Sequence, residues 1–288
     1  MRDDHYHTLQ LRQGTIRYRD VGAGPTIVLV HGLLVNGTLW DRVVPLLADN
    51  FRCILPDLPL GGHSIAMPPD ADLTPPALAD LLADLIAALD LDDVTLVGND
   101  TGGAICQILI SQRSDRIGRL VLTDCDAFEQ FLPTVIRPFQ WAGYVPGFVW
   151  LLGRLLTVRA WRRLVSGLFL VTKHPVDQPL QDGWFASIRS DPAVRRDLHK
   201  VLRGISHRYT LAAAARFGTF QRPVLLAWAP EDRVFKLAFA ERLRTAFPDA
   251  SLQQIHDSYA FSPLDQPERV ADLIRSFVRE TVPVAAYA

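Results

Sequence analysis

The sequence predicts an α/β fold with a mostly parallel sheet, helices on both of its faces, and an inserted helical segment. The first observation is that short apolar runs alternate with segments of helical periodicity up to about residue 126, and again after residue 223. The second is that the intervening stretch of about 90 residues is rich in Trp and Arg, is helical in pattern, and has no clear buried strand.

The first part of the chain contains the strands that define the predicted sheet. Two alternating segments, Tyr6–Leu11 and residues 15–20, flank Gln13-Gly14 and predict a β-hairpin. Short apolar runs then predict strands at Thr26–Val30, 52–55, 94–97 and 120–123. Helices are predicted between them at 74–89, where six Leu or Ile residues share one face, and at Thr101–Gln112.

The helical insertion divides the predicted chain into two parts. Residues 1–127 and 218–288 are expected to form the α/β core, in which strands at 224–227 and 252–255 alternate with helices at Leu237–Ala246 and 267–278. Residues 128–217, which we call the cap segment, are expected to lie over the carboxyl ends of the strands. Sheets of this kind bind their ligands at that edge.

Composition restricts the class of protein and its partners. Lys and Arg number 30 against 31 Asp and Glu, so no charge excess points to nucleic acid. Three cysteines, Cys53, Cys106 and Cys125, lie in apolar segments and indicate buried thiols in a reducing compartment. The N-terminus lacks an apolar signal core, so we expect a cytoplasmic location. The apolar stretch at 145–156 is too short to span a bilayer, which predicts no stable membrane insertion.

Residues 94–103 contain the motif that carries the predicted chemistry. An apolar strand leads through Gly98-Asn99-Asp100-Thr101-Gly102 into a helix, which is the G-x-nucleophile-x-G pattern of a nucleophile elbow with an aspartate as nucleophile. Small residues are needed on either side because the chain reverses sharply there. The alternative is that Asp100 is an ordinary helix N-cap. The position of the motif after the strand that follows Asp57 favours the elbow.

These motifs together resemble the α/β-hydrolase fold superfamily from about residue 6 to residue 278. His31-Gly32-Leu33 resembles the family's H-G-x motif, which implies that the backbone amides of Leu33 and Thr101 form the oxyanion hole. The segment 228–232 resembles the one that carries the acid of the triad, which implies this role for Asp232. Asp124 and Asp126 follow another strand and are competing candidates for the acid.

An aspartate at the elbow resembles the haloalkane dehalogenases and epoxide hydrolases within this superfamily. Carboxylate attack on an ester would give a high-energy anhydride, whereas attack on a saturated carbon bearing a halide or epoxide oxygen gives a stable alkyl ester. The resemblance therefore implies a cofactor-independent enzyme that cleaves C–O or C–halogen bonds in an apolar small molecule. No metal site is predicted, since H-E-x-x-H and cysteine ligand spacings are missing from the sequence.

The histidine that activates water in these relatives has no match in this sequence. Spacing from Asp265-Gln266-Pro267 places Ala260 at its position. Three explanations remain open: an engineered replacement, a histidine supplied from elsewhere in the chain, or a lineage that no longer hydrolyses a covalent intermediate. The third includes a lyase, isomerase or cyclase, and a ligand-binding relative without catalysis. Candidate substrate contacts are His31, Asn36, Asn99, Tyr144, Tyr209 and Tyr259.

Overall fold

A computed structural model describes residues 6–159, 162, 164 and 168–282. It confirms the α/β-hydrolase fold as an eight-stranded sheet in the order β1-β2-β4-β3-β5-β6-β7-β8. The strands are β1 Tyr6–Leu11, β2 Gly14–Val21, β3 Thr26–Val30, β4 Arg52–Pro56, β5 Val94–Asp100, β6 Ile117–Cys125, β7 Val224–Trp228 and β8 Ala250–Gln254. The predicted hairpin is the antiparallel β1–β2 pair, and β2 also runs antiparallel to β4. All pairings from β4 through β8 are parallel.

Helices connect the parallel strands and cover the sheet. They are α1 Val44–Leu47, α2 Pro75–Ala88, α3 Thr101–Gln112, α4 Arg137–Ala142, α5 Phe148–Leu155, α6 Leu168–Val171, α7 Gln178–Ser190, α8 Pro192–Gly204, α9 His207–Ala214, α10 Leu237–Ala246, α11 Ser262–Asp265 and α12 Pro267–Thr281. Every residue of β5 and β6 is buried, as expected for central parallel strands covered on both faces. This burial explains why those strands appear in the sequence as continuous apolar runs.

The cap segment leaves the sheet after β6 and returns before β7. Within its described residues it consists of α4 to α9 with connecting turns and contributes no strand to the sheet. The fully buried Trp184 ties it to the core by donating from Nε1 to the Thr38 hydroxyl at 2.9 Å. Asp265 provides a second tie, because its carboxylate accepts from the backbone N–H groups of Lys173 and His174. These contacts hold the cap segment against residues that follow β3 and β8.

Candidate active site

The turn from β5 into α3 holds Asp100 in a strained conformation. Asp100 has φ 54° and ψ −132°, a region that residues with a side chain rarely occupy. Glycine is required at the neighbouring positions by close packing. A Cβ on Gly98 would lie 2.7 Å from the Cα of Gly103, and one on Gly102 would overlap the backbone of His31. The segment therefore has the geometry of a nucleophile elbow, with Asp100 at its apex.

Two backbone amides converge on the Asp100 carboxylate. Oδ1 accepts from the N–H of Thr101 at 2.6 Å and from the N–H of Leu33 at 3.1 Å. The approach of the Leu33 loop depends on Gly32, where a Cβ would overlap the same carboxylate. The structure thus brings together the three residues that the sequence placed at the elbow and the oxyanion hole.

Burial and hydrogen bonding act on Asp100 in opposite directions. Removal from water raises the pKa of its carboxyl above the ordinary value, while the hydrogen bonds from the Thr101 and Leu33 amides lower it. The net shift of the pKa is upward. Asp100 also begins α3, whose N-terminal partial positive charge favours the ionised form.

Asp100 lies at the bottom of an apolar cavity of about 480 Å³. Its side chain is the one polar side chain among the described residues that line this space. The floor includes Leu33, and the walls come from the cap segment and from Phe261, which follows β8. A cavity of this size fits a small apolar molecule with its reacting atom next to a single carboxylate.

The other acids of the site are buried close to Asp100. The Thr101 hydroxyl donates to Asp126 Oδ2 at 3.3 Å, and burial followed by the charge of Asp100 raises the pKa of Asp126 well above its usual value. Asp124 Oδ1 accepts from the Ala229 amide at 2.7 Å, and burial together with Asp232 raises the pKa of this carboxyl well above its usual range.

Asp232 follows β7 and is held in the loop before α10. Its Oδ1 accepts from the Val234 amide at 2.7 Å, while Oδ2 has no hydrogen-bond partner among the described residues. Burial, with a further contribution from the charge of Asp100, raises the pKa of Asp232 to about 7. Asp124 and Asp232 interact with each other, so two of the three candidate acids for a triad lie in one buried group.

Ala260 is completely buried. Its carbonyl accepts from Asn99 Nδ2 at 2.7 Å, which ties the loop after β8 to the elbow. No histidine in the described part of the chain lines the cavity.

The described histidines that could have served as a base have other surroundings. His31 is buried, with Nδ1 2.8 Å from the Gly32 carbonyl and Nε2 accepting from the Leu58 amide, and burial lowers its pKa to about 4. His63 Nε2 lies 3.4 Å from Asp197. His174 is exposed beside Asp257, and His207 and His256 are exposed as well.

The six candidate substrate contacts do not reach the cavity wall. His31 orders its own loop, as described above, and Asn99 donates to Thr123 and Ala260. Asn36 caps the 3-10 helix Gly37–Trp40 by accepting from the amide and hydroxyl of Thr38.

Tyr144 is exposed, whereas Tyr209 and Tyr259 are half-buried outside the cavity lining. The Tyr144 hydroxyl donates to the Arg203 carbonyl, Tyr209 pairs with Arg208, and Tyr259 packs under Arg233. None of the six is among the described residues that line the cavity.

The residues that do form the cavity wall carry no motif. Leu132, Phe139, Leu168 and Phe185 come from four separate parts of the cap segment, and Phe261 from the core. Their spacing in the sequence resembles that of any buried apolar residue, so only the tertiary arrangement identifies them. Groups of three or more His, Cys, Asp or Glu side chains placed to hold a metal ion are missing from the described residues.

Comparison with known proteins agrees with this architecture. The alpha/beta hydrolase fold family matches residues 25–267. Haloalkane dehalogenase 2 of Mycobacterium tuberculosis (strain ATCC 25618 / H37Rv) is 28% identical over 277 residues, which cover 91% of each chain. The cis-3-alkyl-4-alkyloxetan-2-one decarboxylase of Shewanella oneidensis is 27% identical over 292 residues, or 97% of this chain and 90% of the relative.

A solved structure shows the same fold at lower identity. The haloalkane dehalogenase DbeA-M1 loop variant from Bradyrhizobium elkanii is similar with a TM-score of 0.79 at 20% identity, covering 96% of this chain and 97% of that one. Because the family match spans most of the sequence and the strand order agrees with it, the chain belongs to the α/β-hydrolase family.

Proposed function

We propose that this chain is an enzyme in which the Asp100 carboxylate attacks a saturated carbon of an apolar small molecule. The observation that carries the proposal is that Asp100 is the one polar side chain on the described cavity wall, with Oδ1 held by two amides. This arrangement leaves Oδ2 to form the new bond. As the Oδ2–carbon bond forms, the carbon–halogen or carbon–oxygen bond breaks, and its electron pair leaves with the halide or alkoxide.

The two amides support this chemistry more than they support ester hydrolysis. In the alkyl ester that results, Oδ1 is the carbonyl oxygen and keeps the hydrogen bonds from Leu33 and Thr101. The elbow therefore needs no rearrangement between the free carboxylate and the covalent ester, which limits the reorganisation cost of the step. The apolar wall excludes water and raises the nucleophilicity of an ionised carboxylate.

Release of this ester by water would need a base, and no histidine of the described residues lines the cavity to act as one. Ala260 cannot accept a proton, and the described histidines lie elsewhere. We infer that the ester either persists or leaves by a route that uses no water. Asp232, Asp124 and Asp126 remain the candidate acids for a triad, each without a histidine to orient.

The second candidate function is such a route, a decarboxylating ring opening. One relative is named as a cis-3-alkyl-4-alkyloxetan-2-one decarboxylase. A carboxylate nucleophile in an apolar cavity can carry out such a ring opening without a base. Asp100 would attack the ring carbon that bears the ring oxygen, breaking that C–O bond and freeing a carboxylate. The freed carboxylate then loses CO₂, the electrons of its C–C bond form the alkene, and the ester C–O pair returns to Asp100. No proton moves and no base is required.

Product analysis distinguishes these routes. The parent protein, Asp100→Asn, and the exposed-carboxylate control Asp249→Asn would each be incubated with a cis-3,4-dialkyl oxetan-2-one or with a bromoalkane of similar length. Alkene made repeatedly by the parent and the control, but not by Asp100→Asn, supports the lyase. One bromide released per chain without alcohol supports a nucleophile whose ester persists. Repeated release of alcohol would contradict the absence of a base, and no product from either compound would overturn the proposal.

A further inference from the structure

The cap segment exposes an apolar surface at the mouth of the cavity. Trp141 is 65% exposed and Trp150 58% exposed, and Leu151 and Leu155 are exposed beside Trp150 on α5. Val149 and Leu152 form the opposite, buried face of α5, so this helix is apolar on nearly all sides. Helices of this composition are normally buried on all sides in globular proteins. Half of α5 therefore lacks the covering that its composition requires.

The charge of the cap segment indicates what covers this face. Between residues 130 and 176 the sequence has six Lys or Arg residues and no Asp or Glu. Three of the six are paired with acids from outside this stretch, Arg159 and Arg162 with Asp182, and Lys173 with Glu231 and Asp257. Arg137 on α4 and the exposed Arg154 in the last turn of α5 form no salt bridge within the described part of the protein. An apolar face with exposed Trp and flanking arginines that lack an acidic partner is typical of a helix that lies in the interface of an anionic bilayer.

The same surface contains the opening of the cavity. Val135 and Leu164 line the cavity and are also 52% and 58% exposed. Phe169 likewise lines the cavity and is exposed. A molecule that enters between them leaves one apolar environment for another. In water the apolar side chains at this opening are unfavourably hydrated, whereas the acyl chains of a bilayer would surround them with another apolar environment.

We propose that the exposed face of α4 and α5 docks on the surface of an anionic phospholipid bilayer, from which the cavity takes up its apolar ligand. A second copy of the chain fits this face less well, because a symmetric dimer would bring the same cations against each other. The docking is peripheral, since none of the described helices is long and apolar enough to cross a membrane. The docking proposal depends on the exposed face of α4 and α5 and not on the chemistry proposed for Asp100. Its test needs no turnover.

The test is sedimentation of the full chain with vesicles of phosphatidylcholine alone or mixed with phosphatidylglycerol. The variant Trp141→Ser/Trp150→Ser/Leu151→Ser removes exposed apolar groups only. Leu211→Ser is the matched control, because Leu211 is exposed on α9 and is not part of the exposed face of α4 and α5. We expect the triple variant to lower binding to mixed vesicles at least about tenfold and the control to leave it unchanged. High salt should weaken binding, because it screens the attraction to phosphatidylglycerol.

Fluorescence gives a second readout on the same samples. Trp40, Trp184 and Trp228 are fully buried, so a blue shift on adding vesicles reports mainly on Trp141 and Trp150 among the described tryptophans. Asp100→Asn should show the same shift as the parent, which separates docking from catalysis. Absence of binding to either vesicle, or equal binding by the parent and the triple variant, would overturn the proposal. A dimer in solution that the triple variant dissociates, without vesicle binding, would assign the face to a second copy instead.

Discussion

Replacing Asp232 by Asn tests how the buried acids near Asp100 affect stability. Asp232 is 3% exposed, and its pKa is raised to about 7 by burial and by the charge of Asp100. In the unfolded chain the pKa of an Asp is about 3.9. Between these values the folded state holds a proton that the unfolded state has lost, so stability falls as pH rises from about 4 to about 7. Above that range both states are ionised and the deficit is constant.

The size of the deficit follows from the width of this range. About three pH units at about 1.4 kcal/mol each give a loss of about 4 kcal/mol by neutral pH, which is a large part of the free energy of unfolding of a typical domain. Asp232→Asn removes the charge, and its remaining side-chain oxygen can still accept from the Val234 amide. We therefore expect the variant to be more stable than the parent at neutral pH, by up to about 4 kcal/mol, and nearly equal to it at about pH 4.

Urea unfolding followed by circular dichroism at about pH 4.5 and about pH 7.5 measures this difference. The exposed-carboxylate variant Asp249→Asn is the control, and it should match the parent at both values. A gain that is the same at both pH values, or a loss of stability at neutral pH, would refute the reasoning. A buried carboxylate retained at such a cost is typical of a functional site, which is why Asp232 remains a candidate acid.

Three further perturbations test the site. Ala260→His should shorten the lifetime of an ester on Asp100 and release alcohol, and Ala260→Gly is the control without a base. In the Ala260→His background, changing either Asp232 or Asp124 to Asn identifies the acid that supports the histidine, because only loss of that acid abolishes release. Gly32→Ala should slow ester formation about a hundredfold or more, because its Cβ overlaps the Asp100 carboxylate, whereas Gly218→Ala has open space and should not change the rate. Asp126→Asn should leave the rate of ester formation nearly unchanged, because burial and the charge of Asp100 raise the pKa of this carboxyl and so disfavour its ionised form. A tenfold loss would show that the ionised form is needed.

The core of the fold and the elbow could be predicted because local sequence determines them. The β-hairpin and the strand at Thr26–Val30 appear at the predicted residues. β5 continues three residues beyond its apolar run to Asp100, since Gly98 and Asn99 are buried in the sheet without being apolar. The convergence of the Leu33 and Thr101 amides could be predicted from short motifs, because such turns depend on a few adjacent residues.

The cavity wall could not be predicted, because it depends on contacts between distant segments. Phe185 and Phe261 are 76 residues apart in sequence and meet the same space, while Tyr144 faces outward although it lies in the same segment as Phe139. Whether an aromatic residue on a helix lines a cavity or faces solvent depends on the positions of the neighbouring helices. The division of the chain into a core and a cap segment at residues 128 and 217 stays a prediction.

The most direct test of the central claim is intact-protein mass spectrometry after incubation with terminal epoxides and bromoalkanes. We expect a mass increase equal to the whole epoxide, or to the alkyl group less one hydrogen for a bromoalkane. The peptide map should place the adduct on Asp100, and Asp100→Asn should carry none. Formation of the adduct should speed up with pH through a pKa above the ordinary value of an Asp, because burial raises the pKa of Asp100 and only the ionised carboxylate attacks. An adduct on another residue, or one that forms equally on Asp100→Asn, would contradict the assignment of Asp100 as the nucleophile.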